Sequence, residues 1–400
     1  MGLGAAFAVF LAFAPTFALA GLPVYGLCQY LQGPLKSLNI LAGCPPGTLF
    51  VSAQHPAARF RTVGAALEAL PDDLTPCWLL IDAGEYEETL NISRKGPITL
   101  LGATSTLLPH DHTANLVTIF NKLFMNQTTQ DHNLQDNADI SVLNVAPNKY
   151  AAWTGLGFFG ATPVPIPDEF GTKDFRVYNV NLENRAVNHP VGPALALNLG
   201  YVRASFYGCA LRSWQDTIFI GKNASAYFVN SQILGQTDFI YGYGTAWFAN
   251  STMGLRGPGG YVTAWKGTAD DPTLPNNYTN KDNLFGAYFW GSRVVKSPDS
   301  DPALDITGAF SLGRPWNNLS RAVYQHTYMD ESIKAEGFSL WTTTDPRVET
   351  IEYAEYDNSG PGWMPDERIW FDTILTKEEA RRYSLSNVFD HDLSWIDFLY

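Results

Sequence analysis

The sequence predicts an all-β fold in which short parallel strands wind into a solenoid, a parallel β-helix. Three observations predict it. The chain is 46% hydrophobic and only 16% charged, with 14% aromatic residues and 34 glycines, a balance that suits sheets better than a helical bundle. Six runs resemble one another: DFRVYNVNL, ASFYGCAL, AYFVNSQIL, AWFANSTM, AYFWGSRV and AVYQHTYM. Their aromatic anchors Phe206, Phe228 and Phe248 lie 22 and 20 residues apart, and Phe289 follows 41 further on, which reads as two coils. One coil of a stacked solenoid takes roughly 20–29 residues. An antiparallel sandwich would bring strands every ~8–12 residues with hairpin turns between them, and no Asn-Gly or Asp-Gly turn occurs in the chain.

In chain order, residues 1–20 are apolar throughout and end in Ala18-Leu19-Ala20. That is the pattern of a secretory signal with an A-x-A cleavage site, without a basic n-region; interrupted at Pro15, the run is short for a membrane span. Residues 21–48, rich in Gly, Pro and Leu, read as a leader segment packed against an end of the solenoid. The run from Arg61 to Leu70 has helical spacing and stops at Pro71, which places a short capping helix over the first coil. The runs CWLLIDAG, ITLLGA and VTIF are strands bounded by turn residues. Residues 104–172 are polar and irregular and read as a long excursion, before the repeat resumes at Asp174. After Gly337 the pattern breaks into turns, and Thr376-Lys-Glu-Glu379 is a capping box that starts a last helix. The solenoid domain is thus expected over 49–375, with 376–400 folding back as a helix and tail. Cys28, Cys44, Cys77 and Cys209 allow three pairings. Six Asn-x-Ser/Thr sequons, at Asn91, Asn126, Asn223, Asn250, Asn277 and Asn318, mark surface loops in a secreted chain. The formal charge of −13 argues against a nucleic-acid partner, which would require basic patches.

The most informative stretch runs from Leu211 to Phe248. Two apolar runs there carry one aspartate each, Trp-Gln-Asp216-Thr-Ile-Phe-Ile and Gln-Thr-Asp238-Phe-Ile-Tyr-Gly, 22 residues apart. Stacked coils would hold the two carboxyls face to face, since adjacent strands lie only ~4.8 Å apart. Two such carboxyls cannot both ionise easily, so the pair offers one acid and one anion. Gln215 is a neutral donor beside Asp216, and Arg314 is a cation fixed between Gly313 and Pro315. Spacing alone suits turn residues, a solvated face or a calcium site better than a catalytic pair. His110-Asp-His112 has no evident third and fourth ligand.

The motifs go further. Gly84-Glu-Tyr86-Glu-Glu88, Gln215-Asp216-Thr217-Ile218, Asp238-Phe-Ile-Tyr241-Gly242 and Leu312-Gly-Arg-Pro-Trp316 appear in order, and from about Arg61 to Trp395 the chain resembles the pectin methylesterase family, most of all its fungal branch. The resemblance implies a right-handed parallel β-helix, no cofactor and no metal, and a monomeric secreted enzyme acting on methylated pectin without engaging membrane or nucleic acid. It implies that Asp238 is the nucleophile, Asp216 the acid and base, Gln215 the oxyanion donor and Arg314 the group that holds Asp238 ionised. Tyr241, Trp316, Phe219 and Thr237 would line the sugar subsites. One departure is expected to matter. The family carries a second glutamine in Gln-Ala-Val-Ala-Leu where this chain has Pro193-Ala-Leu-Ala-Leu197, and proline brings no donor; either another group compensates, with nearby Asn188 the candidate, or the chain is the alternative, a weakened or inactive β-helix that binds cell-wall polysaccharide. A calcium lyase would need more acids around each motif. A polygalacturonase would need Gly-His-Gly and Arg-Ile-Lys, and a serine esterase a Gly-x-Ser-x-Gly elbow; none of these occurs. The acidic surface is expected to favour highly methylated polymer.

Overall fold

The chain folds as a parallel β-helix. The computed structural model describes residues 25–125, 136–154, 170–267 and 284–400. The signal-peptide expectation, Asn126 and Asn277 lie outside them. Three parallel sheets run the length of the solenoid, with eleven, eight and seven strands. One coil passes through each sheet once: Ser225–Val229 lies in the first sheet, Gln232–Gly235 in the second and Ile240–Gly242 in the third. Connections between parallel strands of one sheet are right-handed in nearly all proteins, which gives the coil its hand.

The six similar runs owe their likeness to the bend between first and second sheets. Each contains two strands, and the residue between them has positive φ: Asn179, Gly208, Asn230, Asn250, Gly291 and His326, with φ of 45–58°. Glycine and short polar side chains enter this left-handed region at the lowest cost. The residue after the bend adds a ladder, in which the Ser231, Ser251 and Ser292 hydroxyls accept in turn from the backbone N–H of Cys209, Ser231 and Ser251 at 3.0–3.1 Å. Inside, Phe206, Phe228, Phe248, Phe289 and Tyr324 form a continuous stack with centroids 4.2–4.9 Å apart. Phe248 pairs directly with Phe289, so the 41-residue interval is one coil with an insertion, where the sequence spacing reads as two.

Three other expectations change. Besides the strand expected at VTIF, which is Val117–Asn121 of the second sheet, the excursion over 104–172 contains Leu143–Val145, a strand of the third. The turns after Gly337 still supply two strands of the first sheet, Glu352–Tyr356 and Asp372–Ile374. Both segments are too short and too polar to show a strand period. The leader packs on the side of the solenoid instead of its end: Gln29 Nε2 donates to Gly102 O at 2.9 Å and to Asn179 Oδ1 at 3.1 Å, and Cys28 and Cys44 form a disulfide while Cys77 and Cys209 stay free. The tail covers the same outer face, where Asp397 accepts from the Tyr178 hydroxyl at 2.8 Å and its N–H donates to the Tyr207 hydroxyl at 2.6 Å.

The helix Val63–Glu68 is capped by Thr62, and Glu88 accepts from its first N–H groups, those of Val63 and Gly64, at 2.8 and 2.7 Å. A carboxylate there satisfies donors that have no partner within the helix and complements its dipole. The glutamate of the Gly-x-Tyr-x-Glu motif therefore ties the capping helix to the first coil. At the other end Thr376 and Glu379 form the expected capping box for Lys377–Ala380.

Because the phenylalanine stack is continuous and fully buried, Phe228→Ala in its middle should destabilise the protein by roughly 3–5 kcal/mol, seen as a lower guanidinium midpoint by far-UV circular dichroism. An unchanged midpoint would mean that the stack carries no stability.

Candidate active site

Asp216 and Asp238 stand at corresponding corners of successive coils, each just before its strand of the third sheet. Ile218 pairs with Ile240, Phe219 with Tyr241 and Ile220 with Gly242, and the register extends back to a bridge between Gln215 and Thr237. Asp216 therefore lies opposite Asp238, and its N–H donates to Thr237 O at 3.1 Å. Both aspartates have positive φ, 59° and 49°, a conformation that aspartate enters more readily than branched or bulky residues. The corner turns both carboxyls away from the core, which Ile218, Ile220, Phe239 and Ile240 fill. Each aspartate is only 8% exposed, enough for contact with solvent and too little for full hydration.

Arg314 distinguishes the two. Its Nε and Nη2 donate to Oδ1 and Oδ2 of Asp238 at 2.9 and 2.6 Å, a two-pronged bridge. The strand Phe310–Pro315 delivers it, pairing Gly313 with Thr263 and Arg314 with Ala264. Only glycine fits at 313, since a Cβ there would sit 2.0 Å from the Thr263 hydroxyl. The guanidinium lies between the rings of Tyr261 and Trp341, 4.2 Å from each centroid, and such flanking stabilises a desolvated cation. Among the described residues the Asp216 carboxyl accepts no hydrogen bond.

The electrostatics follow that asymmetry. Burial raises the Asp216 carboxyl well above the ordinary carboxylate range and the charge of Asp238 adds to the rise, against a smaller pull from Arg314. Burial also raises Asp238, but the hydrogen bonds and charge of Arg314 draw it back. The proton of the pair thus belongs on Asp216, and Asp238 holds the negative charge.

The other sequence-singled residues take varied places. Gln215 is half-buried beside the pair, with its side chain making no hydrogen bond to a described residue. Thr237 is half-buried at the same corner, and Trp316 is half-buried. Tyr241 is 4% exposed, with its hydroxyl 3.3 Å from Asn137 Nδ2, and its ring centroid is 5.9 Å from that of Trp316. Phe219 is wholly buried under Tyr241 and Tyr243, so it supports the aromatic wall from behind and presents no face to a sugar. Pro193 is buried, and its carbonyl accepts from Met125 N–H at 2.9 Å. Asn188 lies elsewhere, exposed on a cavity of about 730 Å³ that it shares with Trp214, Arg212 and Arg256. His112 opens onto that same cavity, and among the described residues no three His, Cys, Asp or Glu side chains gather as metal ligands. Tyr261, Trp341 and Lys266 are neighbours that the sequence does not single out. Their placement depends on coils far apart in the chain, and no local pattern marks them.

Comparison with known proteins covers the stretch that carries the pair, Gln215 and Arg314. A family model described as Pectinesterase matches residues 167–392. The probable pectinesterase A of Neosartorya fischeri is 28% identical over 368 residues, covering 92% of this chain and 94% of that relative. Pectinesterase A of Emericella nidulans is 27% identical over 359 residues, covering 89% and 90%. Among solved structures, the deglycosylated pectin methylesterase of Aspergillus niger has a TM-score of 0.68 at 24% identity over 89% of this chain and 98% of that one. The pectin methylesterase from carrot has 0.66 at 22%, over 87% and 94%.

The elevated Asp216 carboxyl has a consequence for stability. An acid whose folded-state value lies above its unfolded one costs stability as pH rises through the unfolded value, because only the unfolded chain then releases its proton. Asp216→Asn, which tolerates the same positive φ, should therefore raise the thermal midpoint at pH 7 and do so far less at pH 3. The variant should also lose a protonated-carboxyl C=O band in the infrared spectrum at pH 7. Asp372, which burial and then Glu355 raise to about 9, keeps a band of its own, so the reading is the difference between wild type and variant, and no difference would place the proton elsewhere.

Proposed function

The chain belongs to the pectinesterase family, and on that premise we propose that it removes the methyl esters at C6 of galacturonate units in pectin, releasing methanol and pectate. The observation that carries the assignment of roles is the Arg314 bridge to Asp238 and its absence at Asp216. Asp238, ionised, attacks the C6 carbonyl. Gln215 donates to the oxyanion of the tetrahedral intermediate. As that intermediate collapses, Asp216 gives its proton to the methoxy oxygen, methanol leaves, and the acyl group remains on Asp238 as an anhydride. The Asp216 carboxylate then takes a proton from water, whose oxygen attacks the same carbonyl; the C–O bond to Asp238 breaks, and acid product and free enzyme return. Each aspartate ends as it began. Trp316 and Tyr241 form the wall along which the polymer lies. No metal or cofactor enters this sequence.

The reading extends to location. The apolar residues 1–20 and the exposed sequons at Asn91 and Asn250 support a secreted glycoprotein acting as a monomer on the extracellular polymer, and no helix among the described residues is long and apolar enough to cross a membrane.

Pro193 favours a second reading, a binding protein of the same fold with little or no turnover. By resemblance it stands at the position of the family's second glutamine, 23 residues before Asp216. Methanol release from methylated pectin by the purified protein, with and without a chelator, separates the readings. Release that survives chelation supports the esterase, binding without release supports the second reading, and chain cleavage that needs calcium would remove both.

Asp238→Asn should abolish methanol release while the far-UV spectrum stays unchanged; retained activity would remove Asp238 as nucleophile. Activity should be bell-shaped in pH, with the acid limb following Asp238 and the alkaline limb Asp216. Without the guanidinium, burial alone governs Asp238 and its value rises further. In Arg314→Met the acid limb should accordingly move to higher pH with a lower maximum, and a limb that stays in place would show that Arg314 does not hold the nucleophile ionised.

A further inference from the structure

Among the described residues Lys266 is a cation without a counterion. It follows the strand Gly260–Trp265, and its N–H donates to Gly242 O at 2.8 Å, which extends the register so that Lys266 lies opposite Tyr243. The side chain is half-buried. Its ammonium lies over the rings of Trp316 and Tyr243, 5.2 and 5.6 Å from their centroids, and among the described residues it donates no hydrogen bond and meets no carboxylate. The charges that act on it are cationic, Lys222 and Arg347, and with burial they draw its proton affinity below the ordinary lysine value. Arg347 has its own partner in Asp345 at 2.8 Å and donates to Trp316 O at 2.6 Å. In a chain of net charge −13, a half-buried ammonium left to two ring faces and two cations is the arrangement expected of a site that an incoming anion completes.

The shelf adjoins the reacting pair. The Trp316 ring that carries Lys266 also meets Tyr241, and Tyr243, opposite Lys266, stands five residues beyond Asp238 along the chain, at most ~16 Å at strand rise. That is near enough for Lys266 to contact a unit of the same polymer beside the one that reacts. Such a unit bears either a methyl ester, which offers no charge, or a carboxylate. We propose that Lys266, on the Trp316–Tyr243 shelf, forms a subsite for the free carboxylate of a galacturonate unit already demethylated, so that the enzyme prefers esters within partly demethylated blocks. This rests on the esterase reading given above. It acts locally against the long-range repulsion of the acidic surface, which salt removes first.

The test compares wild type, Lys266→Gln and Lys266→Arg at an ionic strength of about 0.15 M, where surface repulsion is screened beyond ~8 Å. Initial methanol release is measured on fully methylated pectin and on pectin demethylated in blocks. Lys266→Gln should lower the ratio of kcat/KM on the block polymer to that on the fully methylated polymer by roughly tenfold or more, the size of a lost charge-assisted hydrogen bond, and Lys266→Arg should keep most of the ratio. Equal loss on both substrates would make Lys266 a strut for Trp316, and no loss on either would remove the subsite. Binding of unesterified oligogalacturonate, followed by calorimetry, decides the same point without turnover: weaker binding in Lys266→Gln supports the subsite and equal binding overturns it. If the wild type releases no methanol, the esterase reading fails on its own, and this binding result still settles the subsite.

Discussion

In-register stacking of coils is the constraint on which the rest of the structure depends. Each backbone N–H and C=O in a sheet finds its partner one coil away, so a corner residue in one coil fixes the position of its counterpart in the next. The left-handed residues from Asn179 to His326 repeat the bend between the first two sheets, and the phenylalanine stack fills the space that the bend encloses. With that register set, Gln215 must bridge Thr237 and Asp216 must stand opposite Asp238. Two carboxyls that would repel each other in solution are held together by a backbone they do not need to stabilise.

That enforced proximity becomes useful through the contribution of one more coil. The third sheet continues past Asp238 to Gly260–Trp265 and then to Phe310–Pro315, and the last of these brings Arg314 back over the second aspartate. Arg314 is itself costly to bury, and the rings of Tyr261 and Trp341 together with the absence of a side chain at Gly313 make room for it. The guanidinium reaches Asp238 with both prongs and leaves Asp216 to the low-dielectric wall. Two identical side chains on identical corners thereby acquire opposite protonation states, which neither burial nor mutual repulsion alone would assign to a particular residue.

Much of this was legible in the sequence because it is local. The corner aspartates, Gln215 and Arg314 sit in runs whose residue types match the demands of their turns and strands, and the 22- and 20-residue intervals of the phenylalanines report the length of a coil directly. Legibility ended where coil length varies. The interval from Phe248 to Phe289 looks like two coils because an insertion doubles it, and Leu143–Val145 and Glu352–Tyr356 are strands whose neighbours alone define them. The same limit hid Trp341, Tyr261 and Lys266, each brought to the site by a different coil. It also made Phe219 look like a sugar contact, since alternation along a three-residue strand says which face a ring takes but not what covers it.

Pro193 shows how stacking also limits repair. Its carbonyl accepts from Met125, Ala194 O accepts from the Ser213 hydroxyl, and the Ala194 N–H donates to Gln215 O, so the N–H next to the proline is not free to replace the lost side-chain donor. Asn188, a polar residue five positions before it, lines a cavity that includes neither aspartate. On the proposed esterase mechanism the oxyanion is then left to Gln215, whose side chain is not otherwise engaged among the described residues. A site with one neutral side-chain donor must draw more of its transition-state stabilisation from the charges already in place, the Arg314 cation beside the nucleophile and the proton on Asp216. The chemistry can tolerate the proline to the extent that these two remain fixed, and the register that fixes them is the property of the fold least exposed to change at a single position.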